Sequence, residues 1–383
     1  MIRNCKTCSG RIRYDIRSHK LVCENCSSTY AVSEYSSDDN NEDMDCDIYA
    51  CSSCGAELII TNTESSTFCP YCGNSTVVMS RVAKVKKPEV IIPFEVTADE
   101  AVNKIKEKFE HGFFIPKVVH PEASDLRGIY IPYYVTNVEF DGSLLLQSQN
   151  KQGISSNRRS GYCSANWVTT DASKKLNDEF SKNLEPYYFD KFKSFDEDYL
   201  LGFYSDIADV DEADAINTAK NRVVEFAFND MTNTVVNPHK KRKTVRFTAE
   251  VYDKPITAML PAWFYTYTYN DTAYTIAVNG QTGSVAGGVP WSKAKFFSLT
   301  GLLTIVFMAL MYLVIYITLN SNMLLLYIFV CLMIGLGAFM VLYGRKIFID
   351  SNGHNRLFDM IRSNSVASSS ALNKYVNKRQ EGQ

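Results

Sequence analysis

The sequence predicts a multi-domain protein: two N-terminal zinc ribbons of small β type, a mixed α+β middle domain and a two-helix transmembrane hairpin. Three observations carry that class. One cysteine frame is used twice in the first 72 residues, the middle of the chain mixes period-two with helical patterns, and two long uncharged apolar runs follow.

The cysteine frame is the sharpest of the three. Cys5 and Cys8 are followed by 14 residues, then Cys23 and Cys26; Cys51 and Cys54 are followed by 14 residues, then Cys69 and Cys72. The repeat period is 46. A CxxC turn brings two thiolates to one ion at about 2.3 Å, and a second such turn completes a tetrahedron. Four sulfurs close the shell, so each site reads as structural rather than catalytic. Zn2+ is the default metal, with iron in a rubredoxin-like site as the alternative. Disulfides or a redox CxxC fit less well, because eight cysteines share one duplicated spacing and the N-terminus shows no secretory signal.

The segments between the knuckles read as hairpins. "RIRYDIRSHKLVC" alternates Ile12, Tyr14 and Ile16, and "AELIITNTESSTFC" has a β-rich run before a polar turn. This places ribbon 1 at 1–30 and ribbon 2 at 49–80, each so small that metal binding is what folds it. Gly10, Gly55 and Gly73 lie just past knuckles, where a permissive backbone is useful.

The formal charge of −2 argues against a protein that coats nucleic acid wholesale. Locally the balance is uneven: residues 1–30 carry six Lys or Arg against two acids, whereas 34–47 carry seven acids and no base. Residues 31–48 therefore read as an acidic linker. Arg11, Arg13 and Arg17 alternate with apolar residues and fall on one face, a candidate nucleic-acid contact, whereas ribbon 2 has Glu57 and Glu64 and no base. Cys46, Cys163 and Cys331 stand outside the frame and read as incidental thiols. Eight ligand thiolates favour a reducing compartment.

A basic connector, "RVAKVKK" at 81–87, leads to a middle domain at 88–290. Ile91, Ile92, Phe94 and Val96 read as a strand, and Thr97 with Glu100 as a capping box opening a helix with Ala101, Ile105 and Phe109 inward. A second helix at 211–230 places Ala215, Ala219, Val223 and Phe226 on one face. "GIYIPYYVTNVEFDG" at 128 and "AMLPAWFYTYTYNDT" at 258 resemble each other, which points to a diverged internal duplication, with Pro132 and Pro261 at strand entries. Asn279 and Gly280 mark a tight turn between β-rich runs. No catalytic constellation is legible: the glycines of "NGQTGSVAGG" lack a P-loop's Lys-Ser/Thr, and His19, His111, His120, His239 and His354 form no HExxH. "HKKRK" at 239–243 reads as a solvated loop or strand edge. Asp99 with Glu100, and Asp196, Glu197 and Asp198, read as surface charge.

Residues 296–319 and 323–343 are uncharged over 24 and 21 residues, enough to cross about 30 Å of hydrocarbon as two helices. Lys293 and Lys295 before the first, and Arg345 and Lys346 after the second, put both ends in the cytoplasm by the positive-inside rule. A polar cytoplasmic tail would follow at 344–383. With no ionisable group inside, anchoring is the expected role. Cys331 and Gly335 have small-xxx-small spacing, which would let helices or two protomers approach.

The ribbons, "IIPFEVTADEA", "GIYIPYYV" and "VNGQTGSVAG" in this order resemble the bacterial family of TFIIB-type zinc-ribbon-containing membrane proteins, over most of residues 49–343. Cys51, Cys54, Cys69 and Cys72 match that family's metal ligands. The PF at 93–94, the GxYxP at 128–132 and the NGxTG at 279–283 match its middle-domain landmarks. The additional N-terminal ribbon and the acidic linker depart from the pattern. The resemblance implies a non-enzymatic protein, some of whose relatives look associated with phage-shock-A-type membrane-stress proteins. The expectation is therefore a membrane-anchored cytoplasmic adaptor or scaffold with two structural Zn2+ sites. It would be integral in the bilayer of the cell membrane, multi-pass with both termini cytoplasmic, docking cytoplasmic protein partners at the inner face. The alternatives are a nucleic-acid or RNA-polymerase-binding regulator acting through ribbon 1, and an enzyme whose motif is not legible.

Overall fold

The computed structural model describes residues 3–35, 42–60, 68–75, 77–109, 120–150, 153–174, 176, 178–233, 240–269, 272–287 and 293–320. Ribbon 1 is a three-stranded antiparallel sheet of β1 (Ile12–Asp15), β2 (Lys20–Cys23) and β3 (Thr29–Tyr30). Its period-two pattern buries Ile12 and Tyr14 and leaves Arg11 and Arg13 outside.

Ribbon 2 is built from β4 (Asp43–Cys51), β5 (Glu57–Ile60) and β6 (Val77–Lys86), with β4 between the other two. The stretch expected as an acidic linker is thus half strand. Met44, Cys46 and Ile48 point inward between outward aspartates, an alternation that the acidity of the stretch obscures. Its partner in the ladder is the basic connector, with Asp43 opposite Lys86 and Asp45 opposite Lys84, so the local charge asymmetry is resolved across a strand pair.

The body follows as β7 (Val90–Ile91), α1 (Ala98–Phe109), β8 (Arg127–Asn150), β9 (Gly153–Asp171), α2 (Asp178–Leu184), β10 (Lys193–Ser194) and β11 (Tyr204–Asp206). Then come α3 (Glu212–Asn233), β12 (Lys240–Val251), β13 (Ile256–Tyr269), β14 (Thr272–Asn279), β15 (Val285–Gly287) and α4 (Lys293–Asn320). Strands β4 to β15 form one 12-stranded sheet. The body is therefore mostly β, and ribbon 2 is part of it: β5 pairs antiparallel with β11, Tyr204 opposite Ile60 and Asp206 opposite Leu58. The expected class, separate ribbons followed by an α+β domain, is corrected on this point. A four-residue strand of Glu57, Leu58, Ile59 and Ile60 would leave an open, apolar edge on a free ribbon, and pairing with β11 closes it.

The suspected duplication is visible in the register. β8 and β13, which carry the two similar segments, pair with each other antiparallel, Tyr130 opposite Pro261 and Pro132 opposite Met259. β11 runs parallel to β8 at Tyr204 and Ile129, and β7 runs parallel to β13 at Val90 and Ala258. The shift that carries Pro132 onto Pro261 also carries Ile129 onto Ala258. The shift that carries Val90 onto Tyr204 also carries Thr97 before α1 onto Asp211 before α3, and Ala101 onto Ala215. β7-α1-β8-β9 thus corresponds to β11-α3-β13-β14, with β12 added before β13 in the second, and the first strand of each pairs with the long strand of the other.

Pro132 and Pro261 are not at strand entries but inside β8 and β13, where each strand changes its outer neighbour: β8 from β11 to β9, β13 from β7 to β14. The missing N–H falls in that gap. Each carbonyl stays in use, accepting from Ala172 N (2.9 Å) and Gly280 N (2.8 Å) respectively. On the helices, Ala219, Val223, Ala227 and Phe228 of α3 pack on Val138, Phe140, Leu144 and Leu146 of β8, whereas Phe226, expected inward, is 68% exposed.

The transmembrane hairpin is also corrected. Among the described residues, no helix is long and apolar enough to cross a membrane. The first expected span coincides with α4, whose Leu302, Ile305 and Met308 are exposed. The second expected span, with Cys331 and Gly335, and the tail at 344–383 lie outside the described residues. Integral partnership with a lipid bilayer and multi-pass cell-membrane localisation with cytoplasmic termini fall with the hairpin that implied them.

Candidate metal centres

All four cysteine knuckles close by the same two backbone bonds. The N–H of the first cysteine donates to the carbonyl five residues on, and the N–H four residues on donates back to that cysteine's carbonyl. The pairs are Cys5 with Gly10 and Ser9, Cys23 with Ser28 and Ser27, Cys51 with Ala56 and Gly55, and Cys69 with Asn74 and Gly73, all at 2.7 to 3.0 Å. The fourth residue after each first cysteine has a left-handed backbone: Ser9 (φ 60°), Ser27 (58°), Gly55 (65°) and Gly73 (71°). The turn at Asn279 repeats this closure with Ser284 and Gly283, its Oδ1 accepting from Gln281 N and Thr282 N where a cysteine would place sulfur.

These turns bring the eight predicted ligands into two groups of four, Cys5, Cys8, Cys23 and Cys26, and Cys51, Cys54, Cys69 and Cys72. Within each group the sulfurs lie within 4.8 Å of one another. The shortest Sγ separations are 3.6 Å (Cys5 and Cys26), 3.5 Å (Cys8 and Cys23), 3.6 Å (Cys51 and Cys72) and 3.6 Å (Cys54 and Cys69). A tetrahedron with bonds of about 2.3 Å needs edges of about 3.8 Å, so both groups suit one metal ion each. Sulfurs this close cannot all ionise unaided. Hydrogen bonding from Cys54, Cys69 and Cys72 drives Cys51 far below the usual thiol range, and Cys51 and Cys54 push Cys69 far above it. A divalent cation removes that conflict. With four thiolates as donors no position stays open for water or substrate, so the ions would hold structure.

The first centre has donors aimed at its sulfurs. Thr7 N and Gly10 N donate to Cys5 Sγ and Cys8 Sγ at 3.4 Å, Cys26 N to Cys23 Sγ at 3.5 Å, and Tyr30 OH lies 3.1 Å from Cys5 Sγ. The Tyr30 hydroxyl is the main reason the Cys5 thiol is pulled down to about 5. Gly10 is required for space rather than for its backbone angle, since a Cβ there would stand 2.9 Å from Asn25 Cβ, 3.1 Å from Cys8 Sγ and 3.3 Å from Cys23 Sγ. Cys8 and Cys26 reach the surface.

The second centre is deeper, with Cys51, Cys54 and Cys69 buried and Cys72 half-buried. Its last knuckle is seated on the body. Thr266 Oγ1 donates to Pro70 O and Thr275 Oγ1 to Tyr71 O, both at 3.2 Å. Tyr71 OH donates to Asp206, which also accepts from Ser173 Oγ (2.5 Å) and Ile207 N (2.9 Å). Burial pushes the Asp206 carboxyl up against the pull of these donors.

Several residues read differently from expectation. Arg17 lies in the turn after β1 rather than in the strand, 3.5 Å from Asp99, and Arg13 lies 3.8 Å from Glu24. Two of the three arginines thus stand near an exposed acid, and Arg17 leaves the face expected for it. Asp198 is not surface charge: it is fully buried and accepts from Arg3 Nε at 3.0 Å. Cys46 is buried, its thiol pushed up to about 11 by desolvation, and Cys163 is half-buried. Lys240 to Lys243 belong to β12 and pair with β8. His19 Nδ1 lies 2.9 Å from Tyr14 OH, and His111, His239 and His354 lie outside the described residues. Asp206, Ser9 and Ser27 were not legible as site residues, although the fixed spacing from each first cysteine marks both serines.

Comparison with known proteins adds one relative. The chain is 23% identical over 240 residues to the uncharacterized protein YdjG of Bacillus subtilis (strain 168), covering 58% of this chain and 69% of YdjG. No protein-family profile and no solved structure matches the chain.

Proposed function

We propose that the protein is a non-enzymatic adaptor, a scaffold on which two structural Zn2+ ions and the duplicated β body form one docking surface for protein partners. One observation carries this reading: both four-sulfur groups are closed shells wired into the fold, the second through β5, β11 and the contact of Tyr71 with Asp206. A metal in such a site stiffens its surroundings and has no coordination position for chemistry. The resemblance of Cys51, Cys54, Cys69 and Cys72 to the ligands of TFIIB-type ribbon proteins is consistent with this role.

The test begins with metal analysis of the purified full chain, expected to give two equivalents of zinc; iron would show a thiolate-to-metal absorption in the visible range instead. The metal-loaded chain and its Cys51→Ser variant are then used as baits in parallel crosslinking. The captured protein is purified and titrated against both. Saturable binding to the loaded chain and its loss with the variant support the adaptor. Equal binding to both, or turnover of a small molecule by the loaded chain, rejects it.

A further inference from the structure

The two centres share a backbone and a donor set but not an attachment. Ribbon 2 is continuous with the main sheet, whereas ribbon 1 forms its own three-stranded sheet. It sits on the segment Asp198–Phe203, which overlaps the 3-10 turn Glu197–Leu200. Tyr14 N donates to Leu201 O at 2.9 Å, the Tyr14 and Tyr199 rings meet edge-on at 5.3 Å, and Arg3 pairs with Asp198. Arg17 in the ribbon's turn reaches Asp99. Beneath it, Tyr199, Leu200, Leu201 and Phe203 are buried in one cluster with Ile12 and Tyr14. Asp198 Oδ2 is buried with no hydrogen-bond partner.

Strands of four and two residues cannot hold a sheet alone, so ribbon 1 depends on its metal. Two of its cysteines, Cys8 and Cys26, are exposed to a competing ligand, whereas three of the second centre's are buried. We infer that ribbon 1 is a metal-dependent lid. With its thiolates ligated it covers Asp198–Phe203; loss of that ion alone unfolds it and uncovers an apolar patch around a buried carboxylate, while the second ion stays. The occupant of this surface is ribbon 1 itself. The inference rests on the reading of both groups as metal centres.

Full-length protein loaded with zinc is challenged with a chelator while metal release and hydrogen exchange are followed together. One equivalent is expected to leave at least about tenfold faster than the other, and peptides covering 11–30 and 198–203 lose protection with it, while those covering 44–60 and 204–206 keep theirs. Release of both equivalents in one phase, or release of the first with 198–203 still protected, overturns the lid. Loading of fewer than two equivalents at the outset rejects the metal reading instead. Tyr199→Ala supplies a second arm outside ribbon 1. It is expected to retain both equivalents yet exchange faster at Tyr14 and 198–203 before any chelator is added. Loss of one equivalent in this variant, or unchanged exchange, overturns the lid.

Discussion

Asp206 is the residue on which the second metal centre and the body meet. It is fully enclosed, its neighbours are hydroxyls and a backbone N–H, and desolvation raises its pKa from the usual 3.8. A carboxyl that holds its proton more tightly when folded contributes stability that is present at low pH and is lost as pH rises from 3.8 through the folded value. Asp206→Asn removes that dependence. The difference in urea-unfolding free energy between variant and parent should shift in the variant's favour as pH rises through this window and then level off. A difference that is flat with pH rejects the assignment, whatever constant offset the altered hydrogen bonds introduce. Residue scale is also where sequence reading reached least. Gly10 was legible as special but for the wrong reason, because its close approach to Asn25, Cys8 Sγ and Cys23 Sγ is a property of the closed shell. Asp198 looked like surface charge because its cover, ribbon 1, comes from the other end of the sequence.

At the scale of elements, α1 was the most legible, because its signals are local. Thr97 N and Oγ1 both donate to Glu100 Oε2, at 2.8 and 2.9 Å, and Glu100 N donates back to Thr97 Oγ1 at 3.4 Å, as the capping box requires. Ala101, Ile105 and Phe109 face inward as their spacing says. Thr97→Ala should destabilise the protein by about 1 kcal/mol, read as a lower urea midpoint, and Thr97→Ser should recover most of it. Equal loss in both variants would place the effect in the methyl group rather than the cap. The long strands were harder. β8 and β9 continue through "QSQN" and "SSNRRSG", stretches polar enough to read as loop, because their partners in the ladder, not their own side chains, hold them extended. α3 was placed correctly, but its buried line runs through Ala219, Val223 and Ala227, one position away from the Phe226 that hydrophobicity favoured.

For the whole molecule, the cysteine spacing disclosed both metal centres but not how unequally they are built in. Spacing constrains each ribbon internally; whether a ribbon stands free depends on long-range pairing of β5 with β11, which nothing local encodes. The unequal attachment has a thermodynamic consequence. The second centre closes a strip of the main sheet and anchors Tyr71 against Asp206 and Phe264, so losing it frees an edge of the body's core. The first centre closes ribbon 1's own sheet, which meets the body through 198–203 without joining the main sheet. Cys69→Ser should therefore lower the main cooperative unfolding transition by about 4 kcal/mol or more, a loss of the size associated with a structural metal. Cys23→Ser should leave the main transition nearly in place and remove only an early change confined to ribbon 1 and the 198–203 segment beneath it. Followed in urea by far-ultraviolet circular dichroism, the two variants should separate clearly. If they displaced the main transition equally, the ribbons would be equivalent parts of one cooperative unit and the asymmetry in their attachment would carry no energetic weight.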